Sequence, residues 1–260
     1  MSQISSPLRL NTIFTTAIIE LNEDRPIAKT STIYFNNFEK LCESRIPLVV
    51  YSSRKYKSEL DSLGTRFSNI LQIVYIDLIE LETYKKITAV ADISLPEKRY
   101  HLKDTLKYMI LMQSKLEFID MTIQNGIKSI IPIANYYSWI DFGIFHIIKD
   151  IPRAHNKLQM LSYLKWKKPC NAFAGIYDKP RDIKILEVQT HWRFCGGFFI
   201  IEPDIFYEFQ KQYNLILDDY LSRKFITWEV NIWASMELLN KFEFGWYKAD
   251  HNDTIFDVPI

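Results

Sequence analysis

Hydrophobic and polar positions alternate in short blocks through the first half of the chain. Three apolar runs predict buried strands: TIFTTAIIEL, IPLVVYS and ILQIVYID, the last ending at Asp77. Between the first two runs, Tyr34, Phe38 and Leu41 lie at helical spacing, which predicts a helix over residues 30–42. Strands that alternate with helices indicate a largely parallel sheet with crossover helices.

The longest helical pattern covers residues 101–125. Its core-facing stripe consists of apolar residues three and four positions apart, namely Met109, Met112, Leu116, Ile119 and Ile123. We predict one helix here, closed by Asn125 and Gly126. Lys115 lies just beside the stripe, so we expect its side chain in solvent unless it meets a phosphate.

The second half of the chain is richer in aromatic residues. The segment YYSWIDFGIFH, residues 136–146, predicts a strand that ends near Gly143, and two later runs, NAFAGIY and THWRFCGGFFIIEP, predict further strands. Pro203 begins a helix, and WEVNIWASMELLNKF predicts an amphipathic helix through Val230, Trp233, Met236 and Leu239. Without an internal repeat or linker, we predict a single α/β domain. Its mixed, mostly parallel central sheet has helices on both faces, and its first four strands are mostly parallel.

Composition narrows the class of protein. The 260 residues are 48% hydrophobic, enough for a sizeable core. With 32 basic and 31 acidic residues the net charge is +1, which disfavours a dedicated nucleic-acid binder. The three cysteines, Cys42, Cys170 and Cys195, form no close pair. This usage suits a reducing compartment and indicates neither a disulfide framework nor a zinc site.

Several common classes are disfavoured by missing motifs. The N-terminus lacks a signal-peptide pattern, and no stretch approaches the roughly 20 apolar residues of a membrane span. We expect a soluble, cytoplasmic protein with at most peripheral contact at the inner face of a membrane. The seven glycines form neither a dinucleotide fingerprint nor a P-loop nor a G-x-S-x-G motif. A Rossmann dehydrogenase, a P-loop enzyme and a serine hydrolase are therefore disfavoured.

Asp141 is the first candidate for chemistry, because it is the one carboxylate in an otherwise apolar segment. A buried carboxylate without a partner is costly, so it needs a cation or hydrogen-bond donors. Ligands bind at the carboxyl ends of strands in open α/β sheets, and Gly143 would allow close approach to the backbone. The alternatives are a helix N-cap or a partner for a buried arginine.

Three further motifs are candidates, and each has a structural alternative. The glycine pair in RFCGGFF, Gly196 and Gly197, exposes backbone N–H groups, or is a plain hairpin turn. Glu229 in TWEVNIW is a candidate base, or simply a favourable acid at a helix start. His251, between Asp250 and Asp253, is a candidate metal ligand, or a solvated loop residue.

These motifs resemble, in their order along the chain, the HtrL/YibB family of presumed glycosyltransferases. The resemblance rests on WIDFGI, RFCGGFF, TWEVNIWA and WYKADHND. It extends to YFNNFEKL, LVVYSS, YMILMQSKLEFI and the strand that contains TIFTTA, and it covers about residues 12–260. The resemblance supports a reaction class but no particular substrate.

The resemblance implies a GT-A-like fold for residues 1–260, with a nucleotide-sugar-binding half over about 12–143 and an acceptor-binding half over about 144–260. In that fold a D-x-D motif holds a metal and the nucleotide diphosphate. Here Asp141 is followed by Phe142 and Gly143, so the second carboxylate is missing. A divalent cation, Mn²⁺ or Mg²⁺, would need His251 as its other protein ligand.

The function implied is transfer of a sugar from a nucleotide-diphosphate sugar to a hydroxyl group of a glycan or lipid-linked acceptor, in surface polysaccharide or glycolipid synthesis. Glu229 would be the catalytic base that accepts the proton of the acceptor hydroxyl, if the reaction inverts. The donor would contact Thr15, Ala17, Lys115, Asp141 and Gly143. The sugar and acceptor pocket would contain Trp192, Arg193, Gly196, Gly197 and Trp228. The alternatives are a non-catalytic nucleotide- or carbohydrate-binding protein on the same fold and a nucleotide-sugar hydrolase.

Overall fold

A central β-sheet organises the part of the chain that the computed structural model describes, residues 10–21, 31–127, 133–166 and 170–259. Its strands are β1 (Thr12–Ile18), β2 (Leu48–Ser52), β3 (Leu71–Tyr75), β4 (Tyr136–Ile140), β5 (Asn171–Gly175), β6 (Phe198–Ile201) and β7 (Trp246–Lys248). They lie in the order β3-β2-β1-β4-β6-β5-β7. Strands β1 to β4 pair in parallel, β6 is antiparallel to β4 and β5, and β7 is parallel to β5. The predicted continuous, mostly parallel mixed sheet is confirmed.

Helices cover both faces of this sheet. They are α1 (Ser31–Glu43), α2 (Lys57–Arg66), α3 (Glu82–Thr88), α4 (Leu106–Gln113), α5 (Lys115–Asn125), α6 (Ile151–Tyr163), α7 (Lys184–Val188), α8 (Pro203–Ser222) and α9 (Glu229–Leu238). Successive strand residues point to opposite faces, so Trp139 packs in the core under α4, α5, α8 and α9, and Ile140 in the core under α1, α2 and α6. Helices on both faces, as predicted, are confirmed.

The predicted helix over 30–42 corresponds to α1, although its residue 30 lies outside the described residues, as do residues 1–9 at the N-terminus. Within the described ranges, none of the helices combines the length and apolar character needed to cross a bilayer.

The predicted single helix over 101–125 is wrong, because the chain breaks at Ser114 into α4 and α5. The Ser114 hydroxyl donates a hydrogen bond to the carbonyl of Ile110 at 2.8 Å, an interaction that bends helices. Gly126 closes α5 as predicted, with a φ of 59° that favours glycine. The break makes Lys115 the first residue of α5 and redirects its side chain.

Two strand predictions extend too far. Strand β4 ends at Ile140 and not near Gly143, so Asp141 is the first residue beyond it, with its backbone N–H donating to the carbonyl of Gly197 at 2.9 Å. Residues 190–197 form a turn, and only Phe198–Ile201 of the predicted run is a strand. The turn follows α7 and brings both glycines to the end of β4.

Helix α9 is buried on all sides, which corrects the predicted amphipathic helix. Residues 229–236 are all buried, whereas Leu239, placed by the prediction on the apolar face, is exposed and follows the helix. A helix that is buried all round belongs to the interior of a domain. The strand directions bring one set of ends to the same edge of the sheet: the carboxyl ends of β1 to β5 and β7 and the start of β6. Helix α9 begins near this edge.

Candidate active site

Lys115 is buried at this end of the sheet, contrary to the expected exposure. Its side chain is 2% exposed, and its Nζ donates to Glu229 Oε1 at 2.7 Å and to the carbonyl of Gly196 at 2.7 Å. The same Nζ lies 3.4 Å from Asp141 Oδ1. Asp141, Gly196 and Glu229, which the sequence predicts to share one site, therefore converge around a lysine ammonium. We call Lys115, Asp141 and Glu229 the buried-lysine cluster.

The charges of the buried-lysine cluster do not cancel. Burial opposes the charged form of Lys115, but the carboxylates of Asp141 and Glu229 outweigh burial and raise the pKa of Lys115 above its usual value. One ammonium and two ionised carboxylates leave one net negative charge. An ammonium has three N–H donors. Those of Lys115 face three acceptors, so the predicted contact with a donor phosphate would require one of these acceptors to be given up.

The glycine turn closes over the cluster. A Cβ atom added at Gly196 would lie 2.3 Å from Glu229 Oε1 and 3.2 Å from Lys115 Nζ. A Cβ added at Gly197 would lie 3.3 Å from Asp141 Oδ2. The missing side chains are therefore what allows the turn to approach both carboxylates.

We expect Gly196→Ala to displace either the turn or Glu229, because a Cβ cannot be accommodated 2.3 Å from a carboxylate oxygen that is itself held by a buried ion pair. The melting temperature should fall by several degrees, as expected for about 1–3 kcal/mol of overpacking. Gly64→Ala is the matched control, since its Cβ would meet only the end of the Ile73 side chain, at 2.8 Å. Equal melting temperatures for the two variants in a calorimetric scan would contradict the tight approach of the turn.

Asp141 is the member of the buried-lysine cluster that is partly exposed to solvent. Its Oδ1 accepts a hydrogen bond from Trp139 Nε1 at 2.7 Å in addition to facing Lys115. The side chain is nevertheless 42% exposed. The partners that make this carboxylate tolerable in an apolar segment are thus a lysine and an indole, while part of the carboxylate still faces the outside.

Two exposed histidines flank the loop that follows Asp141. His146 Nδ1 is hydrogen-bonded to the carbonyl of Gly143 at 2.7 Å, and the ring centroids of His146 and His251 lie 6.1 Å apart. The His251 ring also lies 6.4 Å from the exposed ring of Trp192. The C-terminal segment therefore brings His251 to the loop 141–146.

A divalent cation at this place would need further ligands from a bound molecule. Carboxylate oxygen and imidazole nitrogen are both ligands for Mn²⁺, and Asp141 and His251 supply one of each. In the part of the chain that the structure describes, no group of three or more His, Cys, Asp or Glu side chains is arranged to hold a metal. The protein would thus supply two ligands, and a bound diphosphate the others.

The other predicted site residues lie in different surroundings. Thr15 is fully buried and its hydroxyl donates to Thr122 Oγ1 at 3.1 Å, and Ala17 packs against the same core. Arg193 is 8% exposed and Trp228 6% exposed. A donor contact through the Thr15 side chain, or sugar stacking on Trp228, would require these core contacts to open.

Arg193 is fixed within the protein. Its Nε and Nη2 donate to the two carboxylate oxygens of Glu237 at 2.8 and 2.7 Å, and its guanidinium lies 4.0 Å from the ring centroid of Trp246. This bidentate pair anchors the chain just before the glycine turn. Trp192, 42% exposed, is the aromatic residue of the predicted pocket whose ring remains accessible.

Sequence reasoning missed two supporting residues. The phenol of Tyr108 lies near the cluster, since burial and the negative charges of Glu229 and Asp141 raise its pKa well above the usual value. Gln113 Nε2 donates to the carbonyl of Thr227 at 2.5 Å, and Tyr213 donates to Gln113 Oε1, which fixes the chain leading into α9. Apolar residues follow Tyr108 in YMILM, so its sequence carries no signal of this role.

Comparison with known proteins gives similarity at the level of structure. No protein-family model matches the chain, and no curated protein is similar to it in sequence. Mouse xyloside xylosyltransferase 1 in its apo form superposes with a TM-score of 0.47 and 8% identity over 93% of this chain and 85% of that chain. 4-Diphosphocytidyl-2C-methyl-D-erythritol synthase from Anaerococcus prevotii superposes with a TM-score of 0.41 and 9% identity over 93% of this chain and 88% of that chain. Similarity at this level assigns the chain to no family and no activity.

Proposed function

We propose that this chain transfers a sugar from a nucleotide-diphosphate sugar to a hydroxyl group of a glycan or lipid-linked acceptor, in surface polysaccharide or glycolipid synthesis. The observation that carries the proposal is the buried-lysine cluster at the carboxyl ends of the parallel strands, where open α/β sheets bind their ligands. Buried charges are a weak source of stability, so a cluster opening to solvent at this position favours a functional role. The motif order shared with the HtrL/YibB family supports the same reaction class.

The net negative charge of the cluster bears on how the donor binds. A diphosphate approaching Asp141 would be repelled by a site with one excess negative charge. We assign Asp141 and His251 as the protein ligands of a Mn²⁺ or Mg²⁺ ion. Such an ion, when bound, neutralises charge on the departing nucleoside diphosphate. Lys115 acts through the two carboxylates by fixing their positions.

Glu229 is the proposed base for the acceptor hydroxyl. Lys115 and the Gly196 turn hold one of its oxygens, which sets the direction of the other. Because Glu229 is only 4% exposed, proton transfer through one water suits its position better than direct contact with the acceptor. In this arrangement the base is oriented by a buried cation and shielded from bulk solvent.

The test is incubation of the purified chain with a panel of nucleotide-diphosphate sugars, with and without Mn²⁺ and a mixture of glycan acceptors. We expect metal-stimulated release of nucleoside diphosphate together with a glycosylated product. Release without transfer to any acceptor would instead identify a nucleotide-sugar hydrolase. A thermal shift with a donor but no turnover would identify a binding protein and overturn the transferase proposal.

A further inference from the structure

A surface pocket lies next to the candidate active site, beyond the carboxyl end of β5. Its volume is about 470 Å³, and it is lined by residues 177–182 with Ile185 and His191. Most of the surface exposed in the pocket is apolar, although its lining includes the charged residues Asp178, Lys179, Arg181 and Asp182. Its volume falls within the range of small-molecule pockets, and it is open to solvent.

Tyr177, His191 and Trp192 lie between this pocket and the loop that follows Asp141. The rings of Tyr177 and His191 lie 5.8 Å apart. Trp192 follows His191 in the chain, and its carbonyl accepts the backbone N–H of Tyr177 at 2.9 Å. The Trp192 ring lies 6.4 Å from that of His251, beside the loop 141–146. His191 and Trp192 are adjacent in the chain, so this segment runs from the pocket to the loop 141–146.

Two of these rings are exposed to solvent. Tyr177 is 53% and Trp192 42% exposed, although large aromatic side chains usually gain most from burial. Their backbones are fixed, because the N–H groups of both Ile176 and Tyr177 donate to the carbonyl of Trp192. Rigid, exposed aromatic rings joined to a pocket are therefore available to a ligand without reorganisation of the chain.

We propose that Tyr177, Trp192 and the adjoining pocket form an acceptor subsite that binds the sugar rings of a glycan. A sugar ring presents an apolar C–H face, which packs on an aromatic ring, and hydroxyl groups, which pair with carboxylate and guanidinium groups such as those of Asp178, Asp182 and Arg181. The inference rests on the proposed transferase function and narrows its acceptor to a carbohydrate. A lipid chain would need an aliphatic groove, whereas Pro180 and Ile185 are the aliphatic residues in this lining.

The test measures binding of soluble oligosaccharides with no donor present. Tetrasaccharides of neutral hexoses and of N-acetylhexosamines are titrated against the full chain, and binding is followed by tryptophan fluorescence and saturation-transfer NMR. We expect at least one to bind, and Tyr177→Ala and Trp192→Ala each to weaken binding about tenfold. Tyr177→Phe should retain most of the affinity because it keeps the ring.

Tyr207→Ala is the matched control, since Tyr207 is another exposed tyrosine, 46%, on α8. It should leave oligosaccharide binding unchanged. Absence of binding by every oligosaccharide, or affinities that do not respond to Tyr177→Ala and Trp192→Ala, would overturn the subsite. Binding and turnover of UDP and GDP sugars by the wild-type chain are measured separately. A chain that binds oligosaccharides through these rings but turns over no donor would keep the subsite and lose the transferase function.

Discussion

Lys115→Met is expected to lower the free energy of unfolding by about 3–5 kcal/mol, because it removes one partner of a buried ion pair and leaves Glu229 without its counter-ion. Methionine is a flexible, unbranched side chain of similar length, so the loss would come from charge and not from a cavity. Asp141, 3.4 Å from the lysine in the wild type, would add repulsion between two carboxylates. Urea denaturation followed by circular dichroism measures the change.

A double-mutant cycle separates this charge effect from a general loss of packing. Glu229→Gln alone leaves the buried ammonium poorly compensated, whereas Lys115→Met combined with Glu229→Gln removes both charges. We expect the double variant to lose less stability than the sum of the two single losses, with a coupling of about 0.5–3 kcal/mol.

The control for the cycle is Lys85→Met. Lys85 also pairs with a glutamate at 2.7 Å, but its partner Glu82 is 79% exposed. Exposed pairs contribute little to stability, so this variant should unfold nearly as the wild type does. If Lys115→Met were no more destabilising than Lys85→Met, the buried-lysine cluster would not support the fold.

Asp141→Asn is expected to lower donor turnover by about 10²–10³-fold while the melting temperature changes little. Asparagine keeps the shape and still accepts the hydrogen bond from Trp139 Nε1, and Lys115 keeps its pair with Glu229. The substitution removes the exposed negative charge that we assign to cation binding. The measurements are the rate of nucleoside diphosphate release over a Mn²⁺ titration and a thermal scan of each variant.

Asp218→Asn serves as the control. Asp218 forms a surface ion pair with Lys86 at 2.7 Å, and its side chain is 57% exposed. Loss of its charge should change neither the turnover rate nor the dependence of turnover on Mn²⁺. Two results together would identify Asp141 as a structural partner of Lys115: the Asp141→Asn variant unfolds, and the activity of the wild type does not change with metal. In that case the assignment of Asp141 and His251 to a cation would be wrong.

The arrangement of strands and helices follows from local patterns. Alternating burial places Trp139 and Ile140 in opposite cores, and β-strand and helical periodicities differ enough to be distinguished within a few residues. Element ends are less well determined. The break at Ser114 depends on a side-chain hydrogen bond within the helix, and the late start of β6 depends on the turn at Gly196 and Gly197.

Candidate chemistry was also visible in the sequence, because Asp141 and Glu229 are carboxylates set among aromatic and aliphatic residues and the two glycines lie between aromatic residues. The tertiary structure alone decided how these residues are joined. Lys115 meets Gly196 and Glu229 across 81 and 114 positions of the chain, and no local pattern encodes contacts of that separation.

The burial of Lys115 shows the physical reason why the sequence predicts the candidate residues but not the contacts between them. Helical periodicity predicts that a lysine beside an apolar stripe lies in solvent, because burial of an unpaired ammonium costs too much free energy. Only when α9, the end of β4 and the glycine turn pack against α5 do two carboxylates and a carbonyl reach its Nζ, and burial then becomes tolerable. Which residues are polar or apolar is local information in the sequence, whereas the pairing of charges depends on elements that meet after folding.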